Sequence, residues 1–274
     1  MIRVLGHLAF WPAFYSIGVL SVTMHLLHGS APGWRAYLFV GLCGHACYLL
    51  DRVKASDARL DPADALAQPE RYRFLAAHTR PIRWVIALDL LACLLIGWMI
   101  TPYLLPIPLI AAACVLLYAG RPPEPRRPRI KDLPALKAIL IAGAHTALAG
   151  ATTLAFMGTH LAELDRGVLL LAIVWTIVFA DAVLCDLDDQ GADQAYATKS
   201  MPVLIGRSPA WALALLAHLG AGIALITLYH GSPGSIILAC GLVLSDCLFT
   251  RMTHQRDAVD ARLLPLVILF ASLG

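Results

Sequence analysis

Long apolar segments alternate with shorter polar segments along almost the whole chain. A helix needs about 20 mostly apolar residues to cross a bilayer, and most of these segments approach that length. The last of them has about 13 residues and is too short to cross fully. The pattern predicts an all-α polytopic membrane protein with about nine transmembrane helices, near residues 4–28, 35–52, 83–100, 102–119, 136–157, 167–186, 210–230, 233–250 and 262–274.

Composition indicates the same class of protein. Of the 274 residues, 59% are hydrophobic and 14% are charged, whereas about 25% are charged in an average soluble domain. A soluble globule of this size could not bury so much apolar surface. The first apolar segment is long and leads into further apolar chain, so we interpret it as a membrane span rather than as a secretory signal peptide.

The basic residues lie almost entirely on one side of the predicted membrane. The N-terminus and the segments 51–83, 120–137, 186–207 and 251–262 together carry 19 of the 21 Lys and Arg residues, which is all except Arg35 and Arg166. Because positive charge is retained on the cytoplasmic side, we expect the N-terminus and these segments to face the cytoplasm. The sequence therefore predicts an integral protein of the cytoplasmic membrane.

Two clusters of aspartates lie on this cytoplasmic side. In the second cluster, a helix that continues past the sixth span would place Asp186, Asp189 and Asp193 within about 60° of one another. Such carboxylates repel one another where water is scarce and need a counter-charge, and Mg²⁺ binds through carboxylates and substrate phosphates. The alternative interpretation is a solvated acidic helix end.

The first cluster consists of Asp51, at the end of the second span, with Asp57 and Asp61 after it. Asp57 and Asp61 are separated by four residues and would share a helix face, whereas Asp51 lies about 120° from Asp57 on an ideal helix. The three side chains converge only if the chain bends or unwinds. This cluster is therefore the less regular half of the predicted site.

Basic side chains accompany both clusters. Contact with anionic lipids and the setting of topology account for most of them. A few can instead bind phosphate oxygens, and we select Lys131 and Lys199 as the candidates. Inside the sixth span, Asp181 lies one to two turns before Asp186, and an intramembrane carboxylate is expected to face a cavity or a partner.

The residues from Asp186 to Gly206, DLDDQGADQAYATKSMPVLIG, resemble the second motif of the UbiA superfamily of intramembrane prenyltransferases. That motif is an aspartate-rich helix end followed by a Lys/Arg-Ser/Thr-x-Pro turn and a glycine. Asp51-Arg52 resembles the middle of the first motif, NxxxDxxxD, and Pro69-Glu70-Arg71 resembles the segment downstream of it. The likeness extends over nearly the whole chain, since the spans and inward-facing motifs also agree.

The first motif departs from the superfamily pattern at two positions. Cys47 stands where the superfamily has asparagine, and Ala55 stands where it has the second aspartate. Asp57, and with it Asp61, is the candidate replacement for the missing ligand; alternatively, one metal site is altered.

The resemblance implies one UbiA-type domain over residues 1–274, with helices around a central cavity that opens near the cytoplasmic face. It implies that Mg²⁺, held by both aspartate clusters, binds an isoprenyl diphosphate, and that the prenyl group passes to a lipophilic acceptor. The implied catalytic residues are Asp51, Asp57, Asp186, Asp189 and Asp193, with Asp61 as a further metal ligand. The substrate-binding candidates are Arg52, Arg71, Lys131, Lys199 and Asp181.

Three other functions are weighed against this one. A terpene cyclase on the same scaffold needs the same metal site but no acceptor. A transporter would explain buried acids, although it would place them near mid-membrane rather than at one surface. A haem protein would need paired histidines on facing helices, and no such pairing emerges from the sequence. The partners expected are membrane lipids and small lipophilic substrates rather than nucleic acid.

Overall fold

The computed structural model describes residues 2–54, 62–119, 128–157, 164–249 and 255–273, and none of these residues lies in a strand. Helices are expected because a backbone in hydrocarbon must satisfy its polar groups within the segment. In chain order the described helices are α1 (Ile2–His7), α2 (Phe10–His28), α3 (Trp34–Val53), α4 (Pro62–Ala67), α5 (Pro69–Ala77), α6 (Thr79–Ile100), α7 (Pro106–Ala119), α8 (Leu136–Met157), α9 (Leu164–Ala195), α10 (Met201–Ile205), α11 (Arg207–Leu228), α12 (Pro233–Phe249) and α13 (Gln255–Leu273).

Most of the predicted spans coincide with helices. The span predicted at 136–157 has the bounds of α8, and the one predicted at 233–250 differs from α12 by a single residue. The first predicted span is divided into α1 and α2 by Ala9, whose φ of 60° lies in the left-handed region. The helical prediction is therefore confirmed.

Two helices that carry aspartates, α9 and α13, are longer than the apolar segments from which they were predicted. α9 does not end near residue 186: it has 32 residues in all and continues through the second aspartate cluster to Ala195. By length and composition α13 is not among the described helices that can cross a membrane, but it has 19 residues and begins at Gln255 rather than at residue 262. The reason is that its first turns contain charged residues, which resemble a loop in the sequence but are largely buried against other helices in the structure.

Five described helices are long and apolar enough to cross a membrane by length and composition, namely α2, α6, α8, α9 and α11. The helices at 102–118 and 233–249 are apolar but shorter. On α6, large side chains such as Trp84, Leu88 and Leu95 are exposed, as expected for a surface in contact with lipid. The protein is thus an all-α polytopic membrane protein, and the count of nine spans stays a prediction.

The helices pack closely around α9. It contacts α8 and α11 extensively and also contacts α2 and α13. Small residues allow close approach where helices cross: a Cβ atom at Gly222 of α11 would lie 2.8 Å from the Cβ of Ala239 on α12. This arrangement directs the acidic end of α9 towards the beginnings of α8 and α13.

Candidate active site

The three aspartates on one face of α9 converge on a single ammonium group. Lys137, at the start of α8, places its Nζ 2.7 Å from Asp186 Oδ1, 3.4 Å from Asp189 Oδ2 and 3.2 Å from Asp193 Oδ2. All three aspartates are buried. The helical spacing therefore brings these carboxylates together, and tertiary packing supplies Lys137, which the sequence did not single out.

A second cation reaches this cluster from α13. Arg256 Nη1 lies 2.8 Å from Asp189 Oδ2, and the backbone amide of Arg256 donates to Asp188 Oδ2 over 2.9 Å. Asp188 thus faces α13 rather than Lys137, as its position on the helix predicts. The sequence missed Arg256 because it precedes the last apolar segment and resembles a loop residue.

The charges of the α9 cluster leave room for a further cation. Three carboxylates face two protein cations, and Asp186 Oδ2 is buried without a hydrogen-bond partner. Within the part of the chain that the structure describes, no three His, Cys, Asp or Glu side chains form a ready-made metal site. The donor set is of the hard-oxygen type that Mg²⁺ prefers. The residues therefore fit Mg²⁺ in chemistry and charge, with Lys137 in contact with all three carboxylates.

The end of α3 is arranged differently. Lys54 follows the helix with a φ of 61°, and its buried Nζ lies 2.6 Å from Asp51 Oδ1. Burial is the main cause that lowers the pKa of Lys54; Asp51 opposes this shift, and the charge of Lys131 adds to it. The charge of Lys131 therefore influences the site that contains Asp51 and Lys54. Asp57 and Asp61 lie outside the described residues.

Arginines also gather beside the first cluster. Arg52 Nη1 lies 3.0 Å from Asp64 Oδ1, and Arg71 Nη2 lies 3.9 Å from the same oxygen. Nε and Nη2 of Arg71 are buried and have no hydrogen-bond partner. Burial, followed by the charges of Arg52 and Arg256, lowers the pKa of Arg71 to about 9. Arg52, Arg71 and Arg256 together form an arginine group. An anion would be favoured there, because it would satisfy the buried donors of Arg71.

Two adjoining cavities connect these residues. The larger spans about 370 Å³ and the smaller about 300 Å³, both volumes including space open to solvent, and both cavities are lined by Tyr48, Arg256 and Asp260. Arg52 and Arg71 line the smaller cavity; the larger cavity is lined by Lys137 and Asp186 and, further in, by Tyr15, Ile141, Val178, Asp181, Ala182 and Cys185. The α9 carboxylates and the arginines beside Asp64 therefore border one region, joined by α13.

Asp181 lines the larger cavity, where it is part of a buried network. Tyr15 donates to Asp181 Oδ2 over 2.7 Å, and Arg262 Nη2 donates to the other carboxylate oxygen. Arg262 Nη1 also lies 2.6 Å from Asp246 Oδ1, and His218 Nδ1 lies 2.6 Å from Asp246 Oδ2. The sequence predicted a cavity or a partner for Asp181, and the structure provides both.

A polar clamp positions the start of α8 against the end of α9. Arg129 Nε lies 2.9 Å from Asp132 Oδ2, and Thr198 donates to Asp132 Oδ1 over 2.7 Å. Burial would raise the pKa of Asp132, but the hydrogen bonds from Arg129 and Thr198 outweigh it and lower that pKa. Lys199 joins the clamp through its backbone amide, 3.2 Å from the Asp132 carbonyl oxygen, while its side chain is exposed. Phosphate binding by Lys199 stays a prediction.

Comparison of the sequence with protein-family models and with curated proteins finds no match. Among solved structures, an apo UbiA homologue from Aeropyrum pernix K1 matches with a TM-score of 0.65 at 15% identity, covering 95% of each chain. A UbiA homologue from Archaeoglobus fulgidus bound to GPP and Mg²⁺ matches with a TM-score of 0.61 at 14% identity, covering 100% of this chain and 96% of that one. A digeranylgeranylglyceryl phosphate synthase matches with a TM-score of 0.56 at 14% identity, covering 100% of this chain and 99% of that one.

These comparisons define the class of the protein: an all-α polytopic membrane protein with the fold of the UbiA homologues. The resemblance to the UbiA superfamily that the sequence indicated is thereby confirmed at the level of the fold.

Proposed function

We propose that the protein is a Mg²⁺-dependent intramembrane prenyltransferase, which ionises an isoprenyl diphosphate and transfers the prenyl group to a lipophilic acceptor. The observation that carries the proposal is that a negatively charged surface and a positively charged surface lie side by side in one region. The α9 carboxylates retain excess negative charge around Lys137, while Arg52, Arg71 and Arg256 gather around few carboxylates. A metal–diphosphate complex has the charge pattern that this region would bind.

The α9 carboxylates would hold the metal. Asp186, with its unpartnered Oδ2, is the principal candidate, and Asp189 and Asp193 share the same face. Asp51 is proposed to contribute from α3, with Asp57 and Asp61 as the candidates that would complete its half. Mg²⁺ bound there would supply Lewis-acid stabilisation of the leaving diphosphate.

The protein's own cations would hold the diphosphate. Arg71 has two buried nitrogens without hydrogen-bond partners, and guanidinium groups bind phosphate oxygens with paired hydrogen bonds. Arg52 and Arg256 line the same cavity, and Lys131 acts from the loop before α8. Charge fixed in advance around the leaving group lowers the barrier to breaking the allylic C–O bond.

The prenyl chain would extend into the larger cavity. Ile141 and Val178 provide apolar surface there, and Tyr15 and Tyr48 provide aromatic rings that can stabilise an allylic cation. Cytoplasmic orientation of the site, and one domain over residues 1–274, follow from the sequence and remain part of the proposal. The A. fulgidus neighbour bound to GPP and Mg²⁺ supports an isoprenyl diphosphate as the donor.

The experiment is to incubate the purified protein with Mg²⁺ and isoprenyl diphosphates of several lengths, and to measure pyrophosphate release and lipophilic products. We expect release that requires both Mg²⁺ and the protein. A cyclised hydrocarbon formed without an acceptor would assign the chain to terpene cyclases. Flux of a solute across liposomes, with no pyrophosphate released from any donor, would replace the proposal with transport.

A further inference from the structure

The network at the inner wall of the larger cavity is not explained by diphosphate binding. Asp181, Arg262, Asp246 and His218 are all buried within helices of the bundle. Ionisable side chains buried among membrane helices are rare and costly, so a group of four is a candidate functional site. Only Asp181 of these four lines the larger cavity, and it does so beside Tyr15.

Tyr15 offers the cavity a hydrogen-bond acceptor. Its hydroxyl has one proton, and that proton is donated to Asp181 Oδ2 over 2.7 Å. The lone pairs of Tyr15 Oη remain for a ligand in the cavity that Tyr15 lines. A ligand group that donates a hydrogen bond, such as a hydroxyl, is therefore the natural partner of Tyr15.

The remainder of the network holds Asp181 in this orientation. Arg262 donates to the carboxylate oxygen that Tyr15 does not use, and it is itself fixed by Asp246. His218 Nε2 lies 3.5 Å from the same oxygen of Asp181, and His218 Nδ1 contacts Asp246. Arg262, His218 and Asp246 are thus positioning residues, and Tyr15 and Asp181 form the surface that a ligand meets.

The charges of the inner wall select against an anionic acceptor. Asp181 and Asp260 both line the larger cavity, and Asp181 is already paired with Arg262, so neither carboxylate would attract an anion. The cations that line it, Lys137 and Arg256, already contact the α9 carboxylates, and Arg256 is also assigned to the diphosphate. An acceptor bearing a carboxylate or phosphate would find no separate cation at the Tyr15 wall among the described lining residues.

We propose, as an extension of the proposed function, that the acceptor is a neutral lipophilic alcohol or phenol whose hydroxyl is bound by the Tyr15–Asp181 pair. In the transfer, the acceptor oxygen forms a bond to C1 of the prenyl group, and the C1–O bond breaks with its electron pair going to the diphosphate. The hydroxyl proton passes to Tyr15 Oη as the proton of Tyr15 passes to Asp181 Oδ2. The product is a prenyl ether. An oxygen that is being alkylated becomes strongly acidic, so an ion-paired carboxylate is basic enough to take the proton.

The experiment uses the full chain in nanodiscs with geranyl diphosphate, Mg²⁺ and two matched pairs of acceptors. The pairs are dodecanol with dodecanoate, and octylphenol with the carboxylate of octylbenzoic acid. We expect a prenyl ether from at least one neutral member and no product from its carboxylate partner. Equal use of the carboxylates, or carbon alkylation of octylphenol with no ether from either neutral acceptor, would overturn the proposal.

Tyr15→Phe is the decisive variant because it keeps the ring and its packing and removes only the hydroxyl. The amount of ether formed per pyrophosphate released should fall about 100-fold, the size of a general-base effect, and the KM for the alcohol should rise about fivefold for the lost hydrogen bond. The matched control is Tyr229→Phe. Tyr229 lines neither described cavity, and the substitution removes a hydroxyl that donates a hydrogen bond to the Leu26 carbonyl oxygen. It should leave the ratio unchanged, and a Tyr15→Phe ratio equal to that of wild type would refute the pair.

Asp181→Asn distinguishes the role of Asp181 from that of Tyr15. The kcat for ether formation should fall more than the KM for the alcohol rises, because Tyr15 still binds the hydroxyl but has lost its proton acceptor. If this variant does not fold, Tyr15→Phe still decides the matter. If the wild-type protein releases no pyrophosphate from any donor, the proposed function itself fails; if it releases pyrophosphate but alkylates neither alcohol nor phenol, only this inference fails.

Discussion

The two aspartate clusters look alike in the sequence but differ in charge in the structure. At the end of α9, three carboxylates meet Lys137 and Arg256, which leaves the described group with excess negative charge. At the end of α3, the described carboxylates are Asp51 and Asp64, and they face three cations, Arg52, Lys54 and Arg71. Among the described residues, then, one half is suited to a cation and the other to an anion.

The difference arises from the local course of the chain. α9 continues as a regular helix, so residues three, four and seven positions apart project together. α3 ends at Val53, and Lys54 adopts a left-handed φ that places its ammonium on Asp51. An aspartate-rich stretch in a sequence therefore does not by itself define a metal site, because the counter-charges come from elsewhere in the fold.

The largest expected effect is at the α9 half. Asp186→Asn or Asp189→Asn should lower Mg²⁺-dependent pyrophosphate release on the order of 1,000-fold, since the charge that binds the metal and positions the leaving group is lost. The measurement is the release rate at saturating donor. Asp89→Asn is the control: Asp89 is a buried acid on α6 that pairs with His45 and lines neither described cavity. Unchanged release in both α9 variants would contradict the site assignment.

Lys137→Met tests whether the α9 half favours a cation. Removing the ammonium leaves buried carboxylates without their shared partner, so we expect a loss of about 3–5 kcal/mol in the free energy of unfolding without Mg²⁺. Added Mg²⁺ should raise the Tm of this variant more than that of wild type, because the metal replaces the missing charge. Lys199→Met, at an exposed side chain, is the matched control. Equal Mg²⁺ shifts in all three proteins would show that no metal binds here.

Substitutions at the first cluster should have smaller effects. Asp51→Asn should lower pyrophosphate release about tenfold, because Lys54 already compensates its charge and fewer contacts depend on it. Asp57→Ala should cause a similar decrease if Asp57 completes this half, as the sequence suggests. Full activity of Asp57→Ala would remove it from the ligands, and a decrease as large as that of Asp186→Asn would make the two halves equal.

The smallest expected effect is a dependence on alkaline pH at the arginine group. The pKa of Arg71 is lowered to about 9, so its positive charge is present below that pH and lost as the pH rises through it. The KM for the donor should therefore rise by about fivefold between pH 9 and pH 10, as the charged fraction of Arg71 falls. Arg71→Met should have a raised KM at neutral pH and a flatter profile. A wild-type KM that is constant to pH 10 would show that Arg71 stays charged or does not bind the donor.

Much of the fold follows from local pattern. The bounds of α8 and α12 are given almost to the residue by apolar segments, because a helix in lipid must be apolar along its length. α13 was the exception: Arg256 and Arg262 interrupt the apolar pattern, and nothing in the local sequence shows that Asp189 and Asp181 will pair with them. Burial of charge is decided by partners that are distant in sequence.

By itself, the sequence determined the class of protein, most helix bounds and the common face of Asp186, Asp189 and Asp193, since hydropathy and helical periodicity are local properties. Only the tertiary structure decided which charges balance them. It placed Lys137 among the α9 carboxylates, Lys54 on Asp51 and Arg262 on Asp181. The physical reason is that electrostatic energy depends on distance and burial, and packing between helices sets both.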